Sequence, residues 1–190
     1  MSTKRKGSHH SKKKLLVVGA VMAVAGAIAT SATIKPQPTP TPQATGIYTP
    51  AAVTKTSGCV ATAGIEDKAC TPGAVIATAT KDAICKPGYS QSVRNVPESE
   101  KTADYAEYGI TSHATGQYEV DHLISLELGG SNDIANLWPE LADPTPGFHQ
   151  KDKVENYLHK QVCDGVISLK AAQQEIATDW LAVYRTMPAN

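Results

Sequence analysis

YEVDHLISLELGGSNDIANLWPE, residues 118–140, is the stretch on which the fold turns. Tyr118 and Val120 alternate with Glu119 and Asp121, the period of two of a strand. Gly129-Gly130-Ser131-Asn132 is a turn cluster. Asp133 to Asn136 suits one helical turn, and Leu137-Trp138 opens a second short strand. The order is therefore strand, long loop, strand. After the break Asp143-Pro144-Thr145-Pro146-Gly147 the pattern predicts a helix over roughly 149–163, stopped by Asp164-Gly165. A last helix is expected over roughly 168–184. Ser168 caps it, and Leu169, Ala172, Ile176 and Trp180, joined by Val183, form its apolar stripe.

Upstream, residues 98–108 predict a short helix capped by Ser99 and stopped by Gly109. Residues 59–97 are poor in aromatics and broken by Thr71-Pro72-Gly73 and Lys86-Pro87-Gly88, both turn signals. Within them AVIATA, 74–79, reads as a short strand or a loose helical turn. The expected class is α+β, with a loop-rich N-terminal segment and an additional C-terminal helix. Trp138 and Trp180 are expected in the core, and His113 and His159 on the surface.

The charges are segregated. The chain balances 18 Lys and Arg against 18 Asp and Glu, but Lys4, Arg5, Lys6, Lys12, Lys13 and Lys14 precede any acidic residue. From residue 15 onward 12 basic residues face 18 acidic ones, a net of −6. A body of that charge argues against a polybasic protein that holds nucleic acid by bulk charge. The basic start is followed by LLVVGAVMAVAGAIATSATI, 15–34, with no charge. That is the layout of an export signal, with a cleavage site of small residues at Ala27-Ile28-Ala29. The alternative is an uncleaved membrane anchor, since about twenty apolar residues just span a bilayer. Either way the rest is expected outside the cytoplasm. Residues 35–57 read as a Pro/Thr-rich linker and 58–190 as one domain.

Cys59, Cys70, Cys85 and Cys163 all follow the signal, so two disulfides are expected. Four cysteines allow three pairings, and spacing does not choose among them. We favour Cys59–Cys70 with Cys85–Cys163, because the second would tie the early segment to the C-terminal helices and restrict the unfolded chain most.

Asp121 and His122 stand together at a strand end, where successive side chains leave on opposite sides. An imidazole titrates near neutrality and takes a proton from water. A carboxylate suits a hard cation such as Mg²⁺, which polarises a phosphate. Asp121-His122, the Gly-Gly turn, Asn136-Leu137 and a following polar helix together resemble the HNH endonucleases of the ββα-metal, or His-Me finger, class. The resemblance covers roughly 118–163. CTPGA at Cys70, ICKPGYSQSVR at Ile84 and VDHLISLELGGSNDIANLWPE are similar to a group of secreted bacterial HNH-type proteins.

This resemblance implies a ββα-metal core and the following roles. His122 is the general base, Asp121 a metal ligand, and Asn136 the residue that ties the loop and orients the base. Mg²⁺, with Mn²⁺ or another divalent ion as substitute, is the expected cofactor, with no organic group. The products would be a 5′-phosphate and a 3′-hydroxyl. The third family position departs from the pattern, because the Pro-rich insertion displaces the helix. His149, Asp152 and Asn156 are its candidates, Asn156 first and His149 next. They fall within about 60° of one another at about 100° per residue, away from Val154, Leu158 and Val162. Arg94 and Lys151, with Lys153 and Lys160, are the basic residues available to the phosphates. Arg94 could instead pair with Glu119 or Glu127, and Glu127 could support the site.

The expectation is thus an extracytoplasmic, monomeric, metal-dependent nuclease without sequence preference, acting on DNA and in second place RNA. The alternative is a non-catalytic surface domain that retains the scaffold. Geometry separates them. A nuclease wants Asp121 near one of His149, Asp152 or Asn156, with His122 open to solvent beside them.

Overall fold

The computed structural model describes residues 48–188; the export signal or anchor over 1–34 and most of the linker lie outside the described residues. Residues 48–80 form loops without regular elements. The first, 48–57, was assigned to the linker, yet it is bound to the body. Tyr48 N–H donates to Gln173, Thr54 and Lys55 N–H donate to the Ala69 carbonyl, and Lys55 pairs with Asp67.

Seven regular elements follow. They are α1 (Lys81–Ile84), α2 (Tyr89–Val93), α3 (Glu98–Glu107), β1 (Tyr118–His122), β2 (Leu137–Leu141), α4 (Phe148–Cys163) and α5 (Leu169–Thr186). The class is α+β. The strands pair antiparallel, with Glu119 opposite Glu140 and Asp121 opposite Trp138. Their connection is a long loop with two 3-10 turns, Leu126–Leu128 and Ile134–Asn136. Asp133 caps the second turn by accepting from Ala135 N–H.

The Gly-Gly turn is set by space and by φ. Gly129 ends the first 3-10 turn at φ +74°, a conformation that favours glycine, and a Cβ there would lie 2.6 Å from Ala79 Cβ. A Cβ on Gly130 would lie 1.7 Å from the Ile124 carbonyl oxygen. AVIATA is mostly irregular: Val75 makes one isolated bridge to Gly130 and Ile76 N–H bonds the Gly129 carbonyl. The segment is thereby held across the turn.

Helix positions follow their stripes. Val154, Leu158 and Val162 of α4 are fully buried, as are Ala172, Ile176 and Trp180 of α5. The two helices pack together over Leu123, Ile124, Leu128 and Ile84. Ser168 caps α5 by accepting from Ala171 N–H, as its position implied. Ser99 does not cap α3: Pro97 holds the N-cap and no side chain bonds the first turn. Trp138 and Trp180 both lie in the core.

Both disulfides form with the favoured pairing, Cys59–Cys70 and Cys85–Cys163. They are compatible with an extracellular protein. No helix among the described residues is long and apolar enough to cross a membrane. Cys85 caps α1 and Cys163 ends α4, so the second bridge closes the sequence over the hairpin.

The two bridges should differ in worth. They span 11 and 78 residues, and in the chain-entropy account the longer loop stabilises by about 2 kcal/mol more. Replacing Cys85 and Cys163 by Ala should therefore lower the unfolding free energy in urea by about 2 kcal/mol more than replacing Cys59 and Cys70. Equal losses would refute that ranking.

Candidate functional site

Lys151 lies at the centre of the site. Its position in α4, three before Val154 and seven before Leu158, puts it on the buried stripe. Its side chain has no exposed surface. An ammonium has three N–H bonds, and here each has an acceptor. Nζ donates to Asp121 Oδ2 at 2.7 Å, to the His122 carbonyl at 2.7 Å and to Glu155 Oε1 at 2.5 Å. The lysine expected at the substrate is therefore a buried tie between α4 and the end of β1.

Three carboxyls surround this one ammonium, and they do not share its charge equally. Burial alone would raise Asp121, but the charge and hydrogen bond of Lys151 hold it below the usual carboxylate range. Burial would lower Lys151, but Asp121, Glu155 and Glu140 outweigh it and keep the ammonium charged. Glu140 sits on β2, on the same face as Asp121 by register. Its burial, then the neighbouring Asp121 charge, push it up to about 10 against the pull of Lys151, so it keeps its proton at neutral pH. Glu155 is raised by burial to about 7, Lys151 opposing. One ammonium thus shares the pocket with an ionised Asp121 and with two acids, Glu140 and Glu155, whose pKa values burial raises.

On the other side of β1, His122 faces Asn132. Its Nε2 lies 3.1 Å from Asn132 Oδ1. The orientation of that amide follows from its backbone partners. Nδ2 donates to the Val93 carbonyl, which can only accept, and Oδ1 accepts from Asn95 N–H, which can only donate. The histidine nitrogen facing Oδ1 must therefore carry the proton. Nδ1 is left with the lone pair and has no partner among the described residues. Burial lowers the pKa of His122, opposed by the Asn132 bond, so the ring is neutral at pH 7. The imidazole is 2% exposed, not open as a nuclease wants. Arg94 is exposed on the same side, and its positive charge reaches both His122 and Glu119. It makes no ion pair among the described residues, with Glu127 or any other acid.

Asn136 is fully buried and fully used. Oδ1 accepts from Ala74 and Ile124 N–H, and Nδ2 donates to the Ile124 and Ser131 carbonyls. It ties the inter-strand loop to itself and to the 70s segment. It bonds backbone only, and the side chain that orients the His122 ring is Asn132.

His149, Asp152 and Asn156 are all exposed. Asn156 turns back to donate to the Asp152 carbonyl, and the His149 ring lies 4.3 Å from the Phe148 ring. Burial, then the Asp121 charge, raise the pKa of Asp152. Glu119 is raised by burial and by both of these acids. Asp121 has lone pairs to spare for a cation, since Oδ1 takes only His122 N–H and Oδ2 only Lys151. Carboxylate oxygens are the donors a hard divalent ion prefers, so Asp121 and Asp152 fit Mg²⁺ in chemistry.

Sequence reasoning passed over Asn132, Glu140 and Glu155. Glu155 had a signal, being four residues from Lys151 on one helix. Glu140 needed the strand register, and Asn132 reads as a turn residue. Behind β2 lies a cavity of about 600 Å³, with Tyr108, Tyr118, Trp138 and Glu140 among its walls. Trp138 Nε1 and both Glu140 oxygens lack a donor–acceptor partner there.

Two measurements check this electrostatic arrangement. Lys151→Met should cost about 3–5 kcal/mol, because it strands buried carboxyls without their cation; a loss under about 1 kcal/mol in urea unfolding would contradict it. Folded Glu140 keeps its proton to about pH 10, while the unfolded side chain releases it near 4.5. Folding takes up a proton between those values, so stability falls as pH rises, by at most about 1.4 kcal/mol per unit. Glu140→Gln should flatten that decline between about pH 5 and pH 9, and an unchanged slope would refute it.

No protein-family model, no curated protein and no solved structure matches this chain, so its functional reading rests on the residues described above.

Proposed function

We propose that this chain is an exported, metal-dependent endonuclease of the HNH type, hydrolysing phosphodiester bonds in DNA and, in second place, RNA. β1, β2 and α4 would be its ββα-metal core. The observation that carries the reading is the state of His122: a neutral imidazole at a strand end, protonated on Nε2 by its bond to Asn132, with the Nδ1 lone pair unused. That is the form a general base needs.

In this reading His122 Nδ1 takes the proton of an attacking water. Arg94 meets the phosphate, for which a guanidinium fork is suited. Asp121 and Asp152 would hold a divalent ion, which would supply Lewis-acid polarisation of the phosphate and stabilisation of the departing 3′-oxygen. Asn136 keeps the loop in register, and Asn132 fixes the ring. The body carries a net of −6, so binding is weak and salt-sensitive.

Two observations favour a second reading, a non-catalytic exported domain on the same scaffold. His122 is covered, and both Asp121 oxygens are already hydrogen-bonded.

The oxidised full chain, incubated with plasmid DNA and Mg²⁺ or Mn²⁺, should nick it. His122→Ala and EDTA should each abolish the nicking. Because burial lowers the His122 pKa, the base is neutral above its folded value, and activity should persist below pH 6.5 before it falls. Absence of cleavage of DNA or RNA with any divalent metal, from protein shown to be folded, would leave the second reading.

A further inference from the structure

His159 was expected on the surface, yet it is half-buried at the disulfide that joins α1 to α4. Its Nε2 lies 3.4 Å from Cys163 Sγ and 3.1 Å from the Ile84 carbonyl. His159 and Cys163 stand four residues apart, on one face of α4, and Cys85 follows α1 directly. The ligand atoms of Cys85, His159 and Cys163 all fall within 4.8 Å of one another. Two sulfurs and an imidazole nitrogen form a donor set for a borderline-soft ion, unlike the oxygens beside Asp121.

In the oxidised protein the sulfurs are bonded to each other and the set is closed. A newly made chain carries thiols instead. We propose that the chain before oxidation binds one divalent transition ion such as Zn²⁺ through Cys85, His159 and Cys163, and that disulfide formation displaces it.

The geometry is close to what such a site requires. Zn–S of about 2.3 Å and Zn–N of about 2.0 Å set a tetrahedral sulfur–nitrogen edge of about 3.5 Å and a sulfur–sulfur edge of about 3.8 Å. The His159–Cys163 edge already has that length. Without their mutual bond, the sulfurs reach the second edge by turning about Cα–Cβ, with Cα atoms 5.7 Å apart. Binding releases one proton from each thiol. The His159 proton moves to Nδ1, freeing the Nε2 lone pair at the expense of its bond to Ile84. Two thiolates and a neutral ring offset the ion's charge, which suits a half-buried place, and water fills the fourth position. The ion then makes the same α1–α4 connection as the disulfide, so it stabilises the unoxidised fold. On exchange with a disulfide oxidant two electrons pass from the sulfurs to that disulfide, which takes up two protons and leaves as two thiols, while the Cys85–Cys163 S–S bond forms and the ion departs.

The test uses the full chain, reduced anaerobically. A trialkylphosphine and water cleave the disulfide, phosphorus taking the oxygen and each sulfur a proton, and excess phosphine is removed. Titration with Co²⁺ should give one equivalent of a tetrahedral spectrum with a sulfur-to-cobalt charge-transfer band, bleached by Zn²⁺. Oxidised chain should give none. Cys59→Ser/Cys70→Ser should keep the signal. His159→Ala, its oxidised form checked for native circular dichroism, should weaken binding by about tenfold or more. Absence of the spectrum in the reduced chain would overturn the proposal, and so would a spectrum and affinity unchanged by His159→Ala.

Discussion

A single ammonium, Lys151 Nζ, organises the candidate site of this protein. It sits without exposed surface between the end of β1 and α4, and its three N–H bonds are met by Asp121, the His122 carbonyl and Glu155. A charge taken out of water costs several kcal/mol unless its partners are complete. Completeness therefore fixes the distance and phase of α4 against the hairpin. The same requirement keeps Asp121, largely buried, ionised while Glu140, on the neighbouring strand, holds its proton. Electrostatics and packing are one constraint here, since Val154, Leu158 and Val162 continue the buried stripe on which Lys151 lies.

Two asparagines divide the remaining work. Asn136 uses all four of its hydrogen-bonding sites on backbone and holds the long loop closed. Asn132 is anchored by Val93 and Asn95, and through that anchor sets the tautomer of His122. The alternation of β1 separates the two chemistries, with Asp121 toward the helix and His122 toward the loop. His122 is thereby a neutral imidazole with its tautomer set and its ring covered. Arg94 is exposed, and its charge, like that of Lys151, reaches His122.

Much of this was legible in the sequence. The period of two found β1, helical stripes found α4 and α5, and Asp133 capped the expected turn before Asn136. The favoured disulfide pairing also formed, although spacing had left three open. α1 and α2, four and five residues long, were not seen, because so short a helix shows too little of its period to detect. Lys151 was misplaced for a physical reason: a lysine on an apolar stripe reads as solvent-facing until the carboxylates that neutralise it are known. Those come from β1, β2 and the next helical turn, so only the folded register brings them together. His159 was misjudged in the same way, since the α1 end that covers it is distant in sequence.

The proposed hydrolysis at His122 would occur on a body whose charge opposes nucleic acid, so the chemistry of the cleaved bond tests the proposal most directly. Cleavage of DNA by the oxidised chain in ¹⁸O-labelled water, with Mg²⁺, reads where the attacking oxygen goes. Attack by water activated at His122 predicts the label in a 5′-phosphate, beside an unlabelled 3′-hydroxyl. Label in a 3′-phosphate, or intact DNA after incubation with folded protein, would contradict it.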